Sequence, residues 1–418
     1  MAWHAPPRPE WVRAANANEI LPISEIARLP FERDALLRET RAELGVDGTG
    51  IDGFGDDAFV EPLDILVRSL EREADLTVLG RWITRRFLLR LLLVRAQTVA
   101  YIQRDPGVRD EALEKPVFVT GAPRTGTTIL HALLAQDPRS RVPEGWELLR
   151  PVPPPERTAY PDEMRVELAE RELRTPALVT GTLDSIHEYR GRMLKECVSS
   201  MSFEFRSEEF TARYHVPEYA VWLGTCDMTP AYEWHRLVLQ VLQRRFRTPR
   251  WVLKSPVHLH SLPTLLAVFP DARLVITHRD PLAVLGSVTS LVATMRWTHS
   301  DVVDYADIGR YHADLYSGSL DRLVDLTECG ALARTPVHHT HYDAFLSEPL
   351  DTVMGVCNAI DLAVDDRTRD AMRTYLDEHP QGAHGAHRYA FDDLQLDPTD
   401  ARARFARYQA FFRVANEG

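Results

Sequence analysis

Lysine is almost missing from this chain. Lys115, Lys195 and Lys254 are the only three among 49 basic residues, so arginine carries nearly all of the positive charge and any lysine that persists calls for a reason. Cysteine is scarce too. Cys197, Cys226, Cys329 and Cys357 are widely scattered, with no C-x-x-C pair and no Cys/His spacing of a zinc site, which excludes a disulfide-stapled fold and argues against a structural metal. Long apolar runs are also lacking: the most apolar stretch, Phe87 to Val94, has eight residues and contains Arg90, far short of the ~20 that cross a bilayer. The first residues, Met1 to Pro7, show no basic stretch leading into an apolar one, as a secretory leader would. Positive charge is in deficit, with a net charge of -12, which opposes non-specific attraction to nucleic acid or anionic lipid. An anionic ligand must therefore find a local basic site. These absences lead to the expectation of a cytoplasmic protein with no bound metal, no transmembrane segment and no nucleic-acid partner.

What is present suits a large folded chain. Of 418 residues, 44% are hydrophobic and 26% charged, enough for a sizeable core and a solvated surface. The pattern reads as one α/β domain over residues 1–418, with a helical N-terminal region (1–115), an α/β core (116–345) holding a helical insertion (156–248), and a helical C-terminal region (346–418). Ser24 suits an N-cap before Ile26 and Leu29, and a Gly-Asp-rich break runs from Gly45 to Asp57. Four short apolar or β-branched runs are expected as strands: Val117–Thr120, Trp251–Lys254, Arg273–Thr277 and Val337–His341. Helical patterns follow them, notably Ile129 to Leu134 and a helix opening at Pro281, so the strands are expected to form a parallel sheet with helices on both faces.

The segment Gly121-Ala122-Pro123-Arg124-Thr125-Gly126-Thr127-Thr128 lies between the first of these strands and its helix, with P-loop spacing. Backbone N–H groups and the positive end of the helix dipole favour phosphate there. Thr127 stands where a nucleotide hydrolase carries its lysine, and Arg124 lies inside the loop instead. That departure disfavours a P-loop kinase or hydrolase, which is one alternative; a non-catalytic nucleotide-binding module is another.

Pro123 to Thr128 resembles the 5'-phosphosulfate loop of the sulfotransferases that use 3'-phosphoadenosine 5'-phosphosulfate (PAPS), particularly the bacterial branch with P-R-[ST]-G-T-T. The resemblance extends over about residues 50 to 412. It implies a P-loop-like parallel sheet, PAPS as the donor cosubstrate, adenosine 3',5'-bisphosphate as its product, and transfer of the sulfuryl group to a hydroxyl of a small-molecule, lipid or carbohydrate acceptor. In that family a strand-end arginine and a serine eight residues on hold the donor's 3'-phosphate, and Arg279 and Ser287 have this spacing; taken alone, Arg279 also suits a surface arginine paired with Asp280. Leu253-Lys254-Ser255-Pro256-Val257-His258 resembles the family's strand-end L-K-[ST]-P-x-H, whose lysine is placed at the transferring sulfuryl group or the leaving phosphate. The implied donor site is thus Gly121, Pro123, Arg124, Thr125, Gly126, Thr127, Thr128, Lys254, Arg279 and Ser287, with Arg124 and Lys254 also acting on the chemistry. By order along the chain Glu147 suits the base that takes the acceptor's proton, with Glu144 and His258 as competitors; a glutamate near a helix start equally suits a cap or a surface charge.

Other conspicuous residues have structural readings. His338, His339 and His341 resemble a metal cluster, but strand alternation sends 339 and 341 to one face and 338 to the other. The charged stretch Asp392 to Arg407 reads as a solvated helix face, and His387 and Tyr389 either close over the nucleotide or anchor a loop. Aromatic and aliphatic residues between Tyr160 and Trp234 suit an apolar acceptor without identifying it. Glu196-Cys197 is expected near the acceptor side, outside the catalytic set.

Overall fold

Apolar residues at three- and four-residue intervals turn the first hundred positions into helices. Val60–Arg72 buries Leu63, Leu66, Val67 and Leu70 on one face. Val78–Arg104, which contains the apolar run from Phe87, is capped by Thr77, whose hydroxyl accepts from the Gly80 N–H at 3.0 Å. In this computed structural model, which describes residues 3–158, 164–181, 190–379 and 391–417, Ser24 is not a cap. It lies inside the helix Leu21–Ala27, its hydroxyl donating to the Ile20 carbonyl, while Ile20 is the N-cap and Pro22 sits in the first turn. Proline fixes a helical φ and lacks the donor that a first turn leaves unpaired, so it decided the start.

Five strands form one parallel sheet: β1 (Val117–Gly121), β2 (Ser140–Arg141), β3 (Arg250–Lys254), β4 (Arg273–His278) and β5 (Val337–His341), in the order β2-β3-β1-β4-β5. The four strands expected from sequence are all present. Strand β2 was not expected, because two residues carry no readable periodicity; Ser140 and Arg141 pair with Arg250 and Trp251 at the sheet edge.

Both faces are covered, as a parallel sheet requires. Val117, Val119, Val252 and Val275 pack with Leu130, Leu133 and Leu134 of the helix after β1 and with Val353 and Val356 of the helix Pro349–Ala359. On the other face, Phe118, Leu253, Leu274 and Ile276 join the larger core built with the N-terminal helices and with Thr229–Gln243. Central position matters here. β1 lies between β3 and β4, so the loop leaving its C-terminal end is flanked by Lys254 and by the residues after His278. Such a sheet binds ligands at the carboxyl ends of its strands, where the order reverses. No helix among the described residues is long and apolar enough to cross a membrane.

Candidate active site

The loop after β1 can make its turn only with glycine. Gly121 has φ +143°, and a Cβ there would lie 2.4 Å from Thr277 Oγ1 and 2.5 Å from the Thr277 carbonyl on β4. Thr125 staples the loop: its hydroxyl donates to the Ala122 carbonyl at 2.6 Å and meets Thr277 Oγ1 at 2.5 Å. Arg124 takes a left-handed conformation, φ 66°, with its side chain exposed. Gly126, φ 91°, is the N-cap of Thr127–Leu134 and supplies no side-chain cap to the first helical turn. That end presents backbone donors and positive dipole to an anion. Thr127 is buried and Thr128 exposed.

Lys254 ends β3 directly beside this helix. Its side chain is only 5% exposed. The ammonium donates to Thr128 Oγ1 at 3.3 Å and to Glu196 Oε1 at 2.5 Å. Across the loop, Arg279 follows β4 and donates Nη1–H to the Arg124 carbonyl at 2.7 Å, with its guanidinium 4.0 Å over the Tyr342 ring. Its fork meets Glu417, Nε to Oε1 and Nη2 to Oε2, each at 2.8 Å. Asp280, the partner that a surface reading assigned to Arg279, instead binds Arg402 and the Glu417 N–H and caps the helix Pro281–Trp297 through the Leu282 N–H. Ser287 lies in the second turn of that helix, 6% exposed. The fold thus gathers Gly121 to Thr128, Lys254 and Arg279 around one strand end.

Glu147 is fully buried. Its Oε1 accepts from Arg141 Nη2 at 2.5 Å and its Oε2 from the Glu144 N–H at 2.9 Å, while Glu144 in turn accepts from the Glu147 N–H, a reciprocal capping box on the helix Gly145–Leu149. Glu144 Oε2 also accepts from Trp146 Nε1 at 2.7 Å. Arg141 donates besides to the carbonyls of Leu242 and Phe246 and stacks on Trp251. These two glutamates hold a turn and a buried arginine; Glu147 has no exposed surface, and the Glu144 side chain is 17% exposed with Oε2 3.8 Å from Arg192. His258 is also a core residue: fully buried, edge-on to Phe118 at 5.1 Å, with Nδ1 3.0 Å from the Tyr232 hydroxyl, and burial pushes its pKa well below the ordinary value.

The carboxylate that reaches Lys254 is one expected near the acceptor side but outside the catalytic set. Glu196, its side chain 28% exposed, reaches Lys254 from 58 residues upstream and also accepts from Ser255 Oγ at 3.5 Å. Its place is fixed on both sides, by Lys195 N–H on the Pro143 carbonyl at 2.9 Å and Cys197 N–H on the Lys254 carbonyl at 3.1 Å. Close by, burial lowers the Lys195 pKa; Glu209, which burial alone would push up, is held at about 2 by Arg213 and Lys195. The rarity of lysine was the one available signal for Lys195.

The histidines of β5 pack into an aromatic stack. His339 Nδ1 lies 2.8 Å from His278 Nε2, His341 packs on the same ring, and Tyr408 and Phe412 complete the stack. No group of three or more metal-ligating side chains occurs among the described residues. Tyr160, His387 and Tyr389 lie outside the described residues.

Residues 116–366 match the Sulfotransferase family. The chain is 25% identical over 276 residues to omega-hydroxy-beta-dihydromenaquinone-9 sulfotransferase Stf3 of Mycobacterium bovis, covering 64% of this chain and 68% of that protein. Its fold superimposes on sulfotransferase STF9 of Mycobacterium avium with a TM-score of 0.81 at 28% identity, over 94% of this chain and 99% of the other. STF1 of Mycobacterium tuberculosis gives 0.76 at 30% identity, over 90% and 98%.

Proposed function

Because this chain belongs to the sulfotransferase family, we propose that it takes the sulfuryl group from PAPS and passes it in line to a hydroxyl of a small-molecule or lipid acceptor. The observation that carries the donor assignment is the position of Lys254, its ammonium 3.3 Å from Thr128 at the opening of an uncapped helix. The loop from Gly121 to Thr128 would hold the 5'-phosphosulfate through backbone N–H groups, with Arg124 at its rim. Lys254 would meet the charge that develops on the leaving 5'-phosphate, an interaction strongest in the transition state. Arg279 would grip the 3'-phosphate with its planar fork, assisted by Ser287. An acidic protein needs such a local basic site to attract a donor bearing several negative charges.

A lipid-like acceptor is supported by Stf3, whose name specifies a hydroxylated dihydromenaquinone. A cytoplasmic setting suits the unpaired state of all four cysteines. The test is transfer of labelled sulfate from PAPS to a panel containing an ω-hydroxylated isoprenoid quinone, a long-chain alcohol and 2-naphthol. Thermal stabilisation by adenosine 3',5'-bisphosphate is expected as well. Stabilisation by ATP with magnesium in its place, without sulfate transfer, would favour the kinase reading.

A further inference from the structure

We infer that Glu196 accepts the proton of the acceptor hydroxyl and that donor binding weakens its pairing with Lys254. The inference rests on the sulfotransferase reading and deepens it. A base for this reaction has to lie beside the reacting sulfur, which the donor site puts at the helix opening near Thr128 and Lys254. Glu196 Oε1 touches the Lys254 ammonium at 2.5 Å, and that ammonium reaches Thr128 Oγ1 at 3.3 Å, so the carboxylate stands one side chain away from the loop. Its side chain is partly open, whereas Lys254 is closed in. Backbone bonds from Lys195 to Pro143 and from Cys197 to Lys254 pin the segment that carries it, so its approach is set by the fold rather than by a loose loop.

The other carboxylates of this region are committed elsewhere. Glu144 and Glu147 cap one another's backbone, and Glu147 also neutralises the buried Arg141.

The ion pair with Lys254 gives the site an order of events. Without donor, ammonium and carboxylate neutralise each other. A phosphosulfate seated on the loop draws the ammonium towards its own oxygens, so that the Glu196 carboxylate shares less of its charge with Lys254 when the hydroxyl arrives. The acceptor oxygen attacks sulfur as the bond from sulfur to the 5'-phosphate oxygen breaks. That electron pair stays on adenosine 3',5'-bisphosphate beside Lys254, and the hydroxyl proton passes to Glu196, which returns it to water after the sulfate ester leaves.

Glu196→Gln keeps the shape and removes the proton acceptor. In the full-length protein it is expected to cut turnover with PAPS by 10² to 10⁴-fold, the usual weight of a general base, while calorimetry with adenosine 3',5'-bisphosphate gives an affinity equal to wild type or a few-fold tighter, since Lys254 no longer has a carboxylate to leave. Glu196→Asp retains the chemistry with a shorter reach and is expected to recover part of the rate. Turnover within about threefold of wild type in Glu196→Gln would overturn the inference and leave the sulfotransferase reading standing, and so would loss of donor affinity in parallel with turnover. A wild-type protein that neither binds the bisphosphate nor transfers sulfate would overturn the reading itself.

Discussion

Lys254→Ala is expected to lower turnover by about 10²-fold, the weight of one preorganised donor at a developing charge, with a smaller effect on donor affinity. Lys254→Arg should be impaired as well. The ammonium fits between Thr128 and Glu196 in a pocket that leaves it 5% exposed, and a planar guanidinium needs more width than a point charge. Steady-state kinetics read against calorimetric donor affinity separates the two effects; an arginine variant with wild-type turnover would show that any cation suffices. Glu147 belongs to a different kind of residue. Glu147→Leu removes the partner of Arg141 and leaves that guanidinium buried, so a loss of about 3–5 kcal/mol in urea unfolding is expected, the range for breaking a buried pair. Turnover per folded molecule should survive. Residue type and chain order pointed to Glu147, but the capping box it forms with Glu144 was equally legible from their spacing of three, and that spacing describes what the structure contains. Glu196 was expected near the acceptor side, but its pairing with Lys254 was not legible, because nothing local ties it to a lysine 58 positions on.

Elements were read best where one periodicity ran uninterrupted. The buried strands of valine, leucine and isoleucine announced themselves, and so did the loop and helix after β1. The misses had different causes: β2 is made by pairing with β3 over two residues, a tertiary contact, while the helix at Leu21 starts where Pro22 allows, a local signal that the Ser24 cap reading overlooked. Two glycines in helices make the same point quantitatively. Gly80 in Val78–Arg104 lies where a Cβ would fall 1.9 Å from the His299 carbonyl, whereas Gly318 in Tyr305–Glu328 has nothing within 4 Å of that position. Gly318→Ala should therefore stabilise by roughly 0.4–1 kcal/mol through the unfolded chain. Gly80→Ala should destabilise by about 1–3 kcal/mol as the helix is pushed off the His299 segment. Parallel thermal melts of the two variants check both signs, and equal shifts would contradict the close packing of that helix.

At the scale of the whole molecule, the C-terminal segment closes on the end of the sheet that carries Arg279. The last long helix, Pro398–Phe412, packs against Tyr305–Glu328 and Pro281–Trp297, and beyond it the chain turns back so that Gln409 holds Asn416 and Asp280 holds the Glu417 N–H. Glu417 then presents two carboxylate oxygens to the fork of Arg279. A carboxylate and a phosphate ask the same geometry of an arginine, so a 3'-phosphate on Arg279 must displace Glu417. The pair is partly open to solvent, with Glu417 41% exposed, which keeps its strength within the ~0–1 kcal/mol of surface ion pairs. Glu417→Ala is accordingly expected to tighten binding of adenosine 3',5'-bisphosphate by about two- to fivefold at low salt. The gain should shrink as salt screens the pair it removes. Arg279→Ala should act in the opposite direction, weakening the bisphosphate by roughly 1.5–3 kcal/mol, and in that background the Glu417 substitution should have no further effect. Calorimetry on the two single variants and the double variant closes the cycle. If Glu417→Ala tightened the ligand equally with and without Arg279, the carboxylate would be acting on the donor through its charge alone, and the competition for one guanidinium would be excluded.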